Sequence, residues 1–296
     1  MKKTIFKGAA TALITPMNND GSVNFEQLKN LVDSQIDAGI AALVVCGTTG
    51  EKSTLNYKEH IDVVKAVVDY TAKRVPVIAG AGSNDTAYSV GICQEAIDVG
   101  ADALLMVTPY YNKTSQAGLV AHYNYVADRV NAPIIVYNVP SRTGMNILPE
   151  TYAELAKHEN IVAAKEANGD LASVIKTRAL CGDSLDIYSG NDDQIVPLLS
   201  VGGKGVISVV SNVAPTQTQR MCQAYFEGNV KEAADIQIKY IGLINALFSD
   251  VNPIPVKEAL NIMGFEAGPC RLPLVPMSDA KREALICELK KVGLVK

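Results

Sequence analysis

Short apolar runs, each about the length of a buried β-strand, recur along the chain at fairly regular intervals. Between them lie longer stretches in which apolar residues return with the spacing of an amphipathic helix. The predicted strands are Ala9–Thr15, Ala42–Cys46, Pro76–Ala79, Ala103–Val107, Ile134–Asn138, Ile161–Lys165, Asp186–Ser189 and Gly205–Val209. The predicted helices between the early strands are Phe25–Ala38, Tyr57–Thr71, Thr86–Val99 and Gly118–Arg129.

The alternation of strands and helices decides the fold class. Strands that are separated by helices pair in parallel, and eight such units predict a closed (β/α)8 barrel, the TIM-barrel fold of the α/β class. An open doubly wound sheet is the alternative, and it often carries a glycine-rich dinucleotide turn after its first strand. The plain loop 16–21 follows the first predicted strand here, so we expect the barrel.

Beyond Val213 the strand pattern stops and only helical stretches follow. They are Thr218–Glu227, Val230–Phe248, Pro255–Met263 and Ser278–Val292, and prolines and glycines separate them. We therefore predict a barrel over residues 1–220 and a C-terminal helical extension over residues 221–296. Because no linker divides the chain, the extension should pack on the barrel and not form an independent domain.

Composition narrows the class of protein. A net charge of -4 over 296 residues argues against nucleic acid or an anionic membrane as the main partner. No apolar run is long enough to predict a membrane span, and the N-terminus does not resemble a signal peptide. The six cysteines have no paired spacing, which favours reduced thiols in a cytoplasmic protein. The three histidines share no ligand spacing, so no metal site is expected.

One lysine directly follows a buried strand. The run from Ile161 to Ala164 has no polar break, which is typical of a strand buried on both faces, and Lys165 comes next. Burial disfavours an ammonium, so the pKa of Lys165 should fall, and a partly neutral amine is a good nucleophile toward a carbonyl. The alternative is a lysine that has left the sheet and points into water.

The other strand ends add hydroxyls, phenols and an arginine to the same face, because active residues of such barrels lie at the C-terminal ends of the strands. The most prominent are Thr48, Thr49, Tyr110, Tyr111, Tyr137 and Arg142. Glu51 precedes Lys52, so residues 47–53 do not form a Walker loop, which needs glycine before its lysine. We expect Gly47–Gly50 to be a tight turn that offers N–H groups and two hydroxyls to a carboxylate; a turn without a ligand is the alternative.

Two segments resemble a known family. Residues 47–51 (Gly-Thr-Thr-Gly-Glu), and Tyr137-Asn138-Val139-Pro140 followed by Ala164-Lys165-Glu166, are similar to the signatures of the N-acetylneuraminate lyase and dihydrodipicolinate synthase family of pyruvate-dependent class I aldolases. The resemblance runs from about Gly8 to the C-terminus. Arg142 in its loop is typical of the dihydrodipicolinate synthase branch, whereas sialic-acid lyases lack it.

The resemblance implies a reaction without cofactor or metal. Lys165 would form an imine with pyruvate, and the derived enamine would attack the aldehyde of aspartate semialdehyde to give 4-hydroxy-tetrahydrodipicolinate, a step of lysine biosynthesis. Tyr137 would shuttle protons, and Thr49 would link it to Tyr111. The implied substrate-binding residues are Thr48 and Thr49 for the carboxylate of pyruvate, Arg142 for the carboxylate of aspartate semialdehyde, and Gly190 and Ile207 beside pyruvate. Tyr137 as packing in the barrel and Arg142 as a purely structural arginine are the alternatives.

The resemblance also implies a homo-oligomer, at least a dimer and by expectation a homotetramer built as a dimer of dimers. Tyr111 would cross a two-fold interface and complete the partner's relay, unless it only packs locally. Inhibition by lysine should be weak or absent. Residues His60, Asn84 and Tyr110 match those of inhibited relatives, but Lys52, Tyr57 and Tyr88 depart from them.

Two other functions stay open from the sequence. A sibling aldolase would act on a sugar acid such as N-acetylneuraminate or a 2-keto-3-deoxy acid, and Arg142 argues against it. A non-catalytic ligand-sensing barrel is the second, and the presence of Lys165, Tyr137 and Thr49 argues against that.

Overall fold

The computed structural model describes residues 2–296, and its centre is a closed sheet of eight parallel strands. The strands are β1 (Gly8–Ala12), β2 (Ala42–Val45), β3 (Val77–Gly80), β4 (Ala103–Val107), β5 (Ile134–Asn138), β6 (Ile161–Glu166), β7 (Asp186–Ser189) and β8 (Gly205–Ser208). Each strand pairs with the next along the chain, and β8 pairs with β1. The predicted (β/α)8 barrel is therefore confirmed.

Helices surround the sheet and continue beyond its last strand. They are α1 (Phe25–Asp37), α2 (Tyr57–Thr71), α3 (Thr86–Asp98), α4 (Gln116–Ala127), α5 (Pro140–Thr143), α6 (Pro149–Leu155), α7 (Leu171–Cys181), α8 (Ile195–Ser200), α9 (Pro215–Phe226), α10 (Val230–Leu247), α11 (Ile254–Ile262) and α12 (Asp279–Val292). The apolar pattern predicts none of the helices α5 to α8. Three of these have only 4, 7 and 6 residues, too few for a clear period, and α7 leaves Ile175 and Leu180 about half exposed.

Three strands end earlier than their apolar runs predict: β8 stops one residue early, at Ser208, and the other two are β1 and β2. The first run extends to Thr15, but β1 ends at Ala12, and the Thr15 hydroxyl donates to the Gly50 carbonyl at 2.7 Å. β2 ends at Val45 because Cys46 has a φ of 53°, which extended backbone does not allow. The residues after β1 and β2 thus leave the sheet and form the turns at the mouth of the barrel.

The core has two layers because side chains alternate along each strand. One cluster, which includes Val44, Leu105, Ile135 and Ile207, fills the barrel, and a larger one packs between the strands and the helices. The ring closes where Gly205 pairs with Gly8. A Cβ on Gly205 would come within 1.8 Å of the Gly8 carbonyl oxygen, so only glycine permits this approach.

The C-terminal helices continue directly from the barrel. α9 spans the predicted boundary at residue 220 and packs against β1, where the Gln219 side chain accepts from the Ala9 amide at 2.8 Å. α10 packs on α9, and α12 packs on α10 and α11. The division of the chain into residues 1–220 and 221–296 stays a prediction. Over the described residues 2–296, no helix combines the length and the apolar character needed to cross a bilayer.

Candidate active site

Lys165 lies at the C-terminal end of β6, directly beside Tyr137 of β5 in the register of the two strands. Its side chain is buried, and its Nζ lies over the Tyr137 ring at 4.3 Å from the centroid. Burial lowers the pKa of Lys165 to about 8; the carboxylate of Asp192 acts in the opposite direction, and the Arg142 guanidinium lowers the pKa further. The lysine is thus buried on a fully buried strand, as expected, and the water-exposed alternative is wrong.

A cavity of about 430 Å³ opens above this lysine at the mouth of the barrel. It brings together most of the residues that the sequence singled out: Thr48, Thr49, Tyr137, Arg142, Lys165 and Gly190. Two others lie elsewhere. Ile207 is buried in the barrel interior, and the side chain of Tyr111 is 91% exposed in the single chain. The cavity therefore holds an amine, a phenol, two hydroxyls and a guanidinium.

Tyr137 is buried beside the amine. Burial raises the pKa of its phenol, while the Arg142 charge and a hydrogen bond with the Thr48 side chain lower it, and Glu166 raises it. A phenol that shares its environment with a lysine amine can exchange protons with it or with a bound ligand.

Thr49 and Arg142 both contact Asn252, which follows α10. The Asn252 Nδ2 donates to the Thr49 Oγ1 at 3.0 Å, and Arg142 Nη2 donates to the Asn252 carbonyl at 3.2 Å. Within residues 2–296, no hydrogen bond joins Thr49 to Tyr137 or Tyr111 in the single chain. The relay through Thr49 therefore stays a prediction.

Gly190 permits a close approach to the lysine side chain. A Cβ at this position would lie 3.1 Å from the Lys165 Cε and 2.7 Å from the Ala167 Cβ. The Gly190 amide also donates to the Glu166 carbonyl at 2.7 Å. A larger residue would displace the lysine that it borders.

Three buried polar residues near Lys165 were assigned no role from the sequence. Glu166 points away from the cavity, accepts from Asn138 Nδ2 at 2.9 Å and from the Tyr152 hydroxyl at 2.8 Å, and its burial raises its pKa to about 7. Asp192 accepts from the amides of Val209 and Val210 at 2.9 and 2.8 Å. Asn252 is the third.

The signals for these residues differ. Glu166 follows Lys165 directly, so the alternation of a strand predicts that it faces the other side of the sheet. Asp192 lies just beyond β7, among the strand-end residues. Nothing in the sequence distinguishes Asn252, because it lies far along the chain from every strand.

A second cavity of about 560 Å³ adjoins the first and shares Thr48, Tyr137 and Arg142 with it. Lys52 reaches into it and donates to the Gly82 carbonyl. Burial lowers the pKa of Lys52 to about 8, and burial together with the Lys52 charge lowers the pKa of His60 to about 4. Among residues 2–296, no cluster of three or more His, Cys, Asp or Glu side chains is placed to hold a metal ion.

The chain is thus a (β/α)8-barrel protein with a buried lysine at the mouth of the barrel. Comparison with known proteins gives its family. The model of the Dihydrodipicolinate synthetase family matches residues 5–292. The 4-hydroxy-tetrahydrodipicolinate synthase of Lachnoclostridium phytofermentans is 52% identical over 98% of this chain and 99% of that protein. The 4-hydroxy-tetrahydrodipicolinate synthase of Clostridium perfringens is 53% identical over 99% of this chain and 100% of that protein.

Solved structures agree with these relatives. The dihydrodipicolinate synthase of Thermotoga maritima is 44% identical, covers 99% of this chain and 100% of its own, and superposes with a TM-score of 0.96. The chain belongs to the dihydrodipicolinate synthetase family. The family resemblance inferred from the motifs is thereby confirmed.

Proposed function

We propose that this chain is a lyase that condenses pyruvate with aspartate semialdehyde to give 4-hydroxy-tetrahydrodipicolinate, a step of lysine and diaminopimelate biosynthesis. The observation that carries the proposal is Lys165, a buried amine with a pKa lowered to about 8, under a cavity that opens at the barrel mouth. The relatives that carry the synthase name and match nearly the whole chain support it.

The chemistry begins at Lys165. Its neutral amine attacks the ketone carbon of pyruvate, water leaves, and an imine forms. The protonated imine draws electrons from the neighbouring methyl group, which loses a proton to give an enamine. The enamine carbon then bonds to the aldehyde carbon of aspartate semialdehyde. The amino group of that substrate finally attacks the imine carbon and releases Lys165, so the enzyme is regenerated without a cofactor.

The surrounding residues divide the remaining tasks. Tyr137 carries protons to and from the carbinolamine and the imine, because its phenol lies beside the Lys165 amine. The hydroxyls of Thr48 and Thr49 hold the carboxylate of pyruvate, and Gly190 leaves room for it beside Lys165. Ile207 does not line this cavity, so the contribution we propose for it to the pyruvate site is that of its backbone carbonyl alone.

Arg142 selects the second substrate. Its guanidinium lines the cavity from α5 and is suited to bidentate binding of a carboxylate, which aspartate semialdehyde carries. A sibling aldolase for sugar acids would need hydroxyl-binding groups in its place. A coupled assay with pyruvate and either aspartate semialdehyde or an acylated sugar aldehyde tests the choice. Turnover with the sugar alone would overturn the proposed specificity, and no turnover with any aldehyde would favour a sensing barrel.

We infer further that the active unit is at least a dimer, and that two such dimers assemble into a homotetramer. The Tyr111 side chain is 91% exposed in the single chain, at a position with a φ of 67°, which is unfavourable for a bulky residue. In a two-fold dimer each subunit would donate its Tyr111 to the partner's Thr49 and Tyr137.

The free cysteines fit a cytoplasmic location.

Mixing two inactive variants tests whether Tyr111 of one subunit acts in the site of its partner. Tyr111→Phe and Lys165→Ala variants are each expected to be almost inactive, but a mixed dimer would have one site with an intact Lys165 and an intact incoming tyrosine. Activity should partly return after subunit exchange, which mass measurement can verify. Verified exchange without recovered activity would show that Tyr111 does not act across the interface.

A further inference from the structure

Asn252 connects the C-terminal helices to the mouth of the barrel. It lies between α10 and α11, far along the chain from every strand, yet it is 6% exposed and lines the cavity above Lys165. Its neighbours Phe248, Asp250 and Val251 line the same cavity. One wall of the site is therefore built by the extension and not by the barrel loops.

Two groups of Asn252 contact two different parts of the site. Its side-chain Nδ2 donates to the Thr49 Oγ1 at 3.0 Å, and its backbone carbonyl accepts from Arg142 Nη2 at 3.2 Å. In the proposed reaction Thr49 holds the keto acid and Arg142 holds the aldehyde. Asn252 thus touches one residue from each substrate subsite.

The direction of the first hydrogen bond has a chemical consequence. A threonine hydroxyl has one proton and two lone pairs. Because Asn252 donates to Thr49 Oγ1, the hydroxyl proton of Thr49 is not used in this contact and stays available for an acceptor, while the second lone pair can accept from the phenol of an incoming Tyr111. A carboxylate in the cavity is such an acceptor, and a hydrogen bond to it would be charge-assisted.

Stability alone does not account for this asparagine. Its Oδ1 is buried and has no hydrogen-bond partner among the described residues, and such an atom typically costs about 1–3 kcal/mol. A second contact joins the extension to the same turn, and its donor has a full set of hydrogen bonds. Lys257 Nζ donates to Glu51 Oε1 at 2.8 Å and to two backbone carbonyls. The turn that carries Thr49 is therefore held by the extension at both Thr49 and Glu51.

We propose that Asn252 is a positioning residue that aims the Thr49 hydroxyl proton at the carboxylate of the bound keto acid. The inference rests on the proposed function and adds a residue from the C-terminal extension to the pyruvate site. Asn252 acts through Thr49 and needs no contact of its own with the substrate.

A double-mutant cycle tests the connection between the two residues. Asn252→Ala, Thr49→Val and the double variant are compared by the rate at which pyruvate alone is trapped on Lys165 by borohydride, and by kcat/KM for pyruvate in turnover. Asn252→Ala should lower both by about tenfold, the effect of one well-placed hydrogen bond. In the Thr49→Val background the same change should have little further effect. The exposed Asn245 of α10 is the matched control, and Asn245→Ala should behave as the unaltered protein.

A nearly isosteric variant keeps the test decisive if Asn252→Ala folds poorly. In Asn252→Asp the introduced carboxylate can only accept, so Thr49 would donate its proton to that carboxylate and lose it for the substrate. The KM for pyruvate should rise with Thr49 present and change much less in Thr49→Val. Equal effects in both backgrounds, or an unchanged KM in Asn252→Asp, would overturn the inference. An unaltered protein that traps no pyruvate would instead refute the proposed function itself.

Discussion

Two buried lysines of this protein are held in opposite ways. Lys257, in α11, donates to Glu51 at 2.8 Å, to the Pro269 carbonyl at 2.6 Å and to the Thr15 carbonyl at 3.2 Å. All three of its protons therefore have acceptors, and among residues 2–296 this is the one ion pair in which both side chains are almost inaccessible. Lys165 is also buried, but its Nζ faces the Tyr137 ring.

The difference separates a structural cation from a reactive amine. A carboxylate and two carbonyls accept hydrogen bonds from Lys257 and offset the cost of burying it. Among the described residues Lys165 lacks such a set, so burial lowers its pKa to about 8 and the charge of Asp192 opposes this only in part. Burial alone does not make a lysine nucleophilic; burial without a full set of acceptors does.

Removing the reactive lysine should have the largest effect on activity. Lys165→Ala is expected to lose activity by about three orders of magnitude or more, because the covalent route no longer exists. Borohydride trapping with pyruvate, followed by peptide mass spectrometry, should label Lys165 in the unaltered protein and no residue in the Lys165→Ala variant. Lys176→Ala, on the exposed face of α7, is the control and should keep both activity and label. A label on Lys257 or Lys52 would contradict the assignment of Lys165 as the reactive amine.

Removing the structural lysine should instead affect stability most. Lys257→Met leaves Glu51 buried without its partner, and breaking such a pair typically costs about 3–5 kcal/mol. Chemical denaturation would measure this loss. The double variant Lys257→Met with Glu51→Gln removes both charges and should recover part of the stability. If Lys257→Met were as stable as the unaltered protein, the ion pair would not hold the extension on the barrel.

The pH dependence of imine formation should report the pKa of Lys165. Since the neutral amine reacts, the trapping rate should rise about tenfold per pH unit below pH 8 and level off above it. An ordinary lysine would keep rising to about pH 10. Asp192 raises the pKa of Lys165, so Asp192→Asn should move the midpoint to lower pH. The exposed Asp193→Asn is the control, and a shift to higher pH in Asp192→Asn would contradict the assigned electrostatics.

The smallest effect is expected from added lysine. Lys52 is a third lysine, only partly buried, that lines the second cavity, where its charge should disfavour a cationic ligand. Millimolar lysine should therefore change turnover little, and Lys52→Ser should make inhibition stronger. Strong inhibition of the unaltered protein at sub-millimolar lysine would show that Lys52 does not exclude the cation.

Much of the fold was predictable because its signals are local. Unbroken apolar runs such as Ile161–Ala164 have few alternatives to a strand buried on both faces, and alternation with helices then requires parallel pairing. The strand ends at Thr15 and Cys46 were misplaced, since leaving the sheet there depends on a hydrogen bond to Gly50 and on a left-handed backbone. Neither is visible in an apolar pattern.

The sequence by itself determined which chemical groups stand at the strand ends, and so the expectation of an amine, a phenol and hydroxyls at one mouth. Only the tertiary structure decided which lysine lacks acceptors and that Asn252 holds Thr49 across 203 positions of the chain. Lys165 and Lys257 both lie in apolar surroundings in the sequence. Their acceptors come from segments far apart along the chain, and a lysine's charge state depends on those acceptors and not on its neighbours in sequence.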